Sequence, residues 1–197
     1  MYEYAMFMDV INRQELALDK EKYFGMVFKG GIFIHPTDTI YGLGCDATNP
    51  AAVEKLRVVK QRSSMPFSVI APSKKWIYDN CVVAGDAVKW VELLPGPYTL
   101  ILKLSNLNAI SKEVNLGSET LGIRIPRHWF SKVVEELGVP VVTTSANVSG
   151  QDFMTSIDNV DRRIAARLDF AIYEGEKKGK PSTIVKLTEE VIEVIER

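Results

Sequence analysis

Three groups of hydroxyl and carboxyl side chains stand at the ends of apolar runs. Thr37, Asp38, Thr39 and Tyr41 follow GIFIH, Thr143 to Asn147 follow VPVV, and Ser182 with Thr183 opens STIVKL. In open α/β sheets, loops beyond strand ends line the ligand crevice, so three polar loops of this kind point to one shared pocket. The plainer reading is that these Ser and Thr residues cap helices and stabilise turns. Cations form the second component. Lys60 and Arg62 close VVKQR at a helix end, where the helix dipole alone favours them. Arg124 lies inside the apolar run LGIRIP, where a buried guanidinium requires an anion, either a ligand or an internal acid. TTSANVSG offers hydroxyls and backbone N–H groups suited to phosphate or carboxylate.

Several familiar chemistries are absent. Neither a Walker P-loop nor a Gly-x-Gly-x-x-Gly fingerprint occurs, and GLGCDA only superficially resembles the latter. His35 and His128 are the only histidines, without a Gly-x-Ser-x-Gly elbow, so both are read as structural and no hydrolytic triad is expected. Asp38 and Asp46 read as turn formers, and no protein metal site is assigned. Cys45 and Cys81 have no Cys-x-x-Cys spacing, which argues against a disulfide framework or structural zinc and for reduced thiols.

The elements that must position these groups alternate. Residues 19–29 predict a helix ending at Gly30-Gly31, and IFIH a buried strand. Asn49 as N-cap and Pro50 at the first position predict a helix ending near Lys60. PFSVIA, YTLILKL, LGIRIP and VPVVTT read as strands, with helices in AGDAVKWVELL and HWFSKVVEELG. A further helix over 156–168 and strands at DFAIYE, STIVKL and VIEVIE complete the series. Strand and helix alternation predicts an α/β fold, and the close spacing of the last strands makes its sheet mixed. GEKKGKP at 175–181 is the best linker candidate but is short, so residues 1–197 are expected to form one domain.

The whole chain sets outer bounds. Of its 197 residues, 46% are hydrophobic and 25% charged, with no apolar run of membrane-spanning length. MYEYAMFMDV lacks the basic start of a leader peptide, so a cytoplasmic setting without membrane contact is expected. A net charge of −1 argues against a broad electrostatic grip on nucleic acid and leaves room for a local basic pocket.

HPTDTIYGLGCDA, VVKQR followed by PFSV, LPGPYTLIL, LGIRIP, TTSANVSG and PSTIVKL, in that order, closely resemble the YrdC/Sua5 family of L-threonylcarbamoyladenylate synthases. The resemblance implies a YrdC-like twisted sheet of parallel and antiparallel strands with flanking helices and a large central cavity. It implies joining of L-threonine, bicarbonate and ATP into L-threonylcarbamoyl-AMP with release of pyrophosphate, Mg2+ being carried with ATP. The product would pass to a tRNA-modifying threonylcarbamoyl transferase complex for N6-threonylcarbamoyladenosine in tRNA. By similarity Thr39, Arg124, Ser145 and Ser182 hold threonine. Lys60 and Arg62 are the catalytic cations facing ATP phosphates, and Thr120, Asn147, Thr155 and Arg197 complete the nucleotide side. Gly42 and Gly44 are expected to let the backbone turn close to ligand. Two departures stand out: Met65 precedes Pro66 where the family has Lys or Asn, in a segment one residue short, and Ile70 replaces a histidine of longer Sua5 members. No C-terminal Sua5 domain is expected. The alternative is an RNA-binding or ribosome-associated module in which a concave basic surface contacts RNA or tRNA.

Overall fold

The computed structural model describes residues 8–188 and 192–196. Ten strands, β1 (Asp9–Ile11), β2 (Phe33–His35), β3 (Gly42–Gly44), β4 (Ser68–Ile70), β5 (Tyr98–Lys103), β6 (Thr120–Arg124), β7 (Val141–Ser145), β8 (Phe170–Ile172), β9 (Thr183–Lys186) and β10 (Glu193–Ile195), form one sheet in the order β1-β8-β2-β3-β7-β4-β6-β5-β9-β10. β1, β8 and β2 run parallel, as do β4 with β6 and β5 with β9; the other neighbouring pairs are antiparallel. The mixed sheet expected from the sequence is the one observed.

Side-chain alternation along the strands divides the core in two. One face buries Ile34, Leu43, Val69, Leu100, Ile123 and Val142 against α3 (Pro50–Lys60), α4 (Lys74–Asn80), α5 (Asp86–Glu92), α6 (Lys112–Asn115) and α8 (Arg162–Ala165). The other buries Phe33, Ile70, Val141 and Phe170 against α1 (Arg13–Leu18), α2 (Lys20–Phe28) and α7 (Phe130–Leu137). These three helices reach only part of their face, and the remainder is polar.

Helix α3 starts and stops where its sequence directs. The Asn49 side chain accepts from Ala52 N, Pro50 occupies the first turn, and Lys60 is the last helical residue. α7 ends at Gly138 in the left-handed region, as its Gly stop predicts. The helix expected over 156–168 is interrupted. A 3-10 turn at Ile157–Asn159 is followed by Asp161, whose carboxylate accepts from Arg163 N and caps the separate one-turn α8. β1, α1, α4 and α6 were not expected. Neither was β3: GLG carries no strand propensity of its own and is held by β2 and β7 on either side. Among the described residues, no helix is long and apolar enough to cross a membrane.

Candidate active site

Register explains where the polar face comes from. Ser68 stands opposite Gly122 on one side and Thr143 on the other, and Ile70 stands opposite Arg124. Ser68, Thr143, Ser145, Gly122 and Arg124 therefore share the face that α7 covers farther along, joined by Thr99 of β5. Where those strands carry small or polar side chains, the sheet opens into a cleft of about 160 Å3, bordered by Tyr41, Arg62, Phe67, Phe153 and Pro181. The cleft is smaller than the large cavity expected, and below the ~300–1,000 Å3 typical of pockets for ligands of drug size.

Arg124 has the anionic partner its position demanded. It is 5% exposed, and its Nη2 donates to Asp38 Oδ1 at 2.6 Å while Nη1 donates to Thr39 Oγ1 at 3.2 Å. Asp38 Oδ2 also accepts from Arg127 N at 2.9 Å, so the carboxylate is more than a turn former. Thr37 Oγ1 donates to the Ile40 carbonyl at 2.7 Å, which leaves Thr39 as the donor in the 2.9 Å contact between the two hydroxyls. The PTDT loop is thus a closed relay ending on the guanidinium. Thr37 and Arg124 line the cleft, and Thr39 lies behind them. Ser182 also lines it, its hydroxyl 2.7 Å from that of Thr99 on β5, the strand beside Arg124.

The two expected catalytic cations part company at Gln61, a non-glycine residue with φ 51° and ψ 45°. Left-handed backbone at such a residue is uncommon and occurs where surrounding structure demands it. Arg62, just beyond it, lines the cleft, donates to the Pro66 carbonyl at 3.0 Å and lies over the Phe67 ring. Lys60, just before it, is only 1% exposed and does not border the cleft. Its ammonium donates to the Ser145 carbonyl and to Asn147 Oδ1, both at 2.6 Å, with Ser145 Oγ at 3.4 Å. No carboxylate is among these acceptors. Burial pulls the Lys60 pKa down to about 7, and the nearby Arg62 charge acts in the same direction.

Asn147 thereby joins the site through Lys60 and through Ser145 Oγ, which donates to it at 2.6 Å. Thr120 shares the Arg124 face but lies four residues down β6, about 13 Å away at the usual strand rise, and does not border the cleft. Thr155 is tied to Asn159 and accepts from Lys177 N through its carbonyl, also outside the cleft lining. Arg197 lies outside the described residues.

Two expectations about the neighbouring segments are corrected. Gly42 borders the cleft, but Gly42 and Gly44 belong to β3 and not to a turn, and their missing side chains accommodate the His35 ring: a Cβ on Gly42 would lie 2.7 Å from its Cε1 and one on Gly44 3.0 Å from its Cδ2. His35 is fully buried and stacks on Phe130 at 4.7 Å, and its Nε2 has no hydrogen-bond partner. Burial pushes its pKa down to about 3, so it is a neutral packing element, as its structural reading requires. GEKKGKP, read as a linker candidate, is a strap across the PTDT loop. Tyr41 Oη donates to the Gly175 carbonyl at 2.7 Å, and Gly179 packs so closely on the Thr39 carbonyl that a Cβ there would collide with it.

Sequence reading passed over Ser68, Thr99 and Arg57. The first two carry a usable signal, a lone Ser or Thr within the largely apolar runs PFSVIA and YTLILKL. Arg57 gives none, because its partners are backbone carbonyls, two in the loop just after α3 and two in distant α6.

Known proteins share this fold. The Sua5/YciO/YrdC family model, described as telomere recombination, matches residues 26–197. A putative threonylcarbamoyl-AMP synthase of Methanocaldococcus jannaschii is 36% identical over 170 residues, covering 84% of this chain and 79% of its own. The threonylcarbamoyl-AMP synthase of Vibrio campbellii is 32% identical, covering 83% and 93% respectively. P. abyssi Sua5, in a crystal structure complexed with L-threonine, shares 25% identity and a TM-score of 0.83 over 95% of this chain, which spans 56% of the Sua5 chain. E. coli YciO shares the fold, with a TM-score of 0.81 at 24% identity, covering 97% of this chain and 94% of its own. With a family match over residues 26–197, this chain belongs to the Sua5/YciO/YrdC family.

Proposed function

We propose that the chain synthesises L-threonylcarbamoyl-AMP from L-threonine, bicarbonate and ATP, releasing pyrophosphate. The observation that carries this reading is that one polar cleft brings Arg124, Ser182, Ser145 and Arg62 together, with Thr39 bonded to Arg124 and the Lys60–Asn147 pair bonded to Ser145. Chains named threonylcarbamoyl-AMP synthase align with it over most of their length.

In this reading the threonine carboxylate approaches Arg124, whose guanidinium is already oriented by Asp38 and Thr39. The threonine amine adds to bicarbonate with loss of water, forming a carbamate. A carbamate oxygen then attacks the α-phosphorus of ATP, the bond from that phosphorus to the bridging oxygen breaks, and pyrophosphate leaves with the electron pair. Such a step needs alignment and neutralisation of phosphate charge more than a protein nucleophile. Arg62 supplies a guanidinium at the cleft wall, and Mg2+ enters with the triphosphate. Lys60 sits one layer behind and reaches a phosphate by exchanging its Ser145 and Asn147 acceptors.

The chain works on this reading as a single YrdC-like domain in the cytoplasm, and its labile product passes to a threonylcarbamoyl transferase complex acting on tRNA. A mass-spectrometric product assay tests it. Threonine, bicarbonate and Mg-ATP together should give the adenylate and pyrophosphate, and omission of threonine should abolish both. Folded protein that makes no adenylate with all three would overturn the proposal. Salt-sensitive RNA binding independent of threonine would instead favour an RNA-binding module.

A further inference from the structure

Arg57 stands one helical turn before Lys60 and is buried, yet its guanidinium contacts no carboxylate among the described hydrogen bonds. It is spent instead on four backbone carbonyls. Nε donates to Glu113 O at 2.8 Å and Nη2 to Val114 O at 3.1 Å, both in α6. Nη1 donates to Arg62 O and to Met65 O, each at 3.0 Å. The plane also lies over the Phe67 ring at 4.6 Å, and Phe67 N donates to Val114 O at 2.8 Å. A buried cation with no carboxylate bonded to it, only the more distant charges of Glu54 and Glu113 nearby, is costly unless its donors are used in this way.

We infer that Arg57 is a positioning residue, which fixes the 61–66 loop against α6 so that Arg62 meets the triphosphate in place. The inference rests on the proposed function for its substrate and on the fold for its geometry. The loop needs such a tie. It leaves α3 through the left-handed Gln61, and its Ser63, Ser64, Met65 and Pro66 are exposed, Met65 by 57%. Arg57 holds the two ends of this exposed stretch, Arg62 and Met65, through one nitrogen. A loop ordered before ligand arrives does not lose its freedom on binding, so the guanidinium of Arg62 is available at lower cost. Lysine cannot take over. Its three donors radiate from one point, and a planar fork is required to reach α6 and the loop together while stacking on Phe67.

The test compares wild type with Arg57→Met and Arg57→Lys by two readouts. The first is amide hydrogen exchange over residues 61–66, which needs no turnover. The second is steady-state kinetics of adenylate formation, with threonine binding by calorimetry and thermal melting as checks on the remote side of the cleft and on folding. Both variants should speed exchange in 61–66 selectively and raise KM for ATP about tenfold or more, the scale of one or two lost hydrogen bonds, while threonine affinity stays within about twofold of wild type. Exchange and ATP KM unchanged in both variants would overturn the inference. So would losses shared equally by ATP, threonine and melting temperature, which mark a merely structural arginine, or full rescue by lysine. A wild-type protein that makes no adenylate would defeat the proposed function, and the exchange arm would still decide whether Arg57 orders the loop.

Discussion

Lys60 gives a prediction whose sign and size both follow from its surroundings. In the unfolded chain its amine holds a proton up to about its ordinary value of 10.5, whereas in the folded protein burial brings the pKa to about 7. Between those values the unfolded state binds more protons, so this residue makes stability rise with pH, beginning near 7 and ending near 10.5. The slope approaches one proton, about 1.4 kcal/mol per pH unit, so the gain between pH 7.5 and 9.5 is about 2–3 kcal/mol. Lys60→Met keeps an unbranched side chain of similar length and removes the titration. It also leaves the Ser145 carbonyl without its 2.6 Å donor, a loss that shifts the variant's curve without tilting it. Urea unfolding of both proteins at half-unit steps across that range isolates the term, since other titrating groups cancel in the difference. Parallel curves, with no gain of wild type over variant, would refute the argument that burial governs this amine. The same shift predicts that Mg-ATP binding at pH 8 takes up close to one proton, seen as a dependence of the calorimetric heat on buffer ionisation and absent in Lys60→Met.

Three further perturbations read other parts of the site. Gly42→Ala drives a Cβ to 2.7 Å from the His35 ring, which Phe130 backs, and should destabilise by about 1–3 kcal/mol in urea unfolding; an unchanged midpoint would mean the ring has room to swing. Gly179→Ala forces the strap off the Thr39 carbonyl, so threonine affinity measured by calorimetry should drop several-fold while stability moves by less than about 1 kcal/mol. Arg124→Lys cannot serve Thr39 and Asp38 at once and should weaken threonine binding by about tenfold or more, with Mg-ATP affinity near wild type; equal losses for both ligands would contradict the assignment of Arg124 to threonine.

What was legible in the sequence is what local chemistry determines. Asn49, Pro50 and the period of Val53, Leu56 and Val59 define α3, and an arginine inside an apolar strand had to find an acid, which is Asp38. The mixed sheet followed from element order. What stayed hidden depends on contacts between distant segments. Gly-Leu-Gly becomes a strand because β2 and β7 flank it, and its glycines answer to a histidine seven residues earlier in the case of Gly42. A solvated helix terminus and a phosphate contact were the two readings of Lys60, and the structure shows a third state, sealed behind the cleft by Ser145 and Asn147. Arg57 was invisible because carbonyl groups occur at every residue, and only folding selects the four that it meets.

The imidazole lodged over β3 has a consequence for how this protein responds to acidity. A ring that takes up a proton only near pH 3 holds the same charge at every pH where the protein would normally be assayed. His35 therefore contributes no change of charge beneath the cleft from pH 5 to 8, and an activity profile across that range carries no limb from it. An inflection there reports instead on other groups, such as Lys60 or the Glu174-bonded His128 near Asp38, or on the ligands themselves.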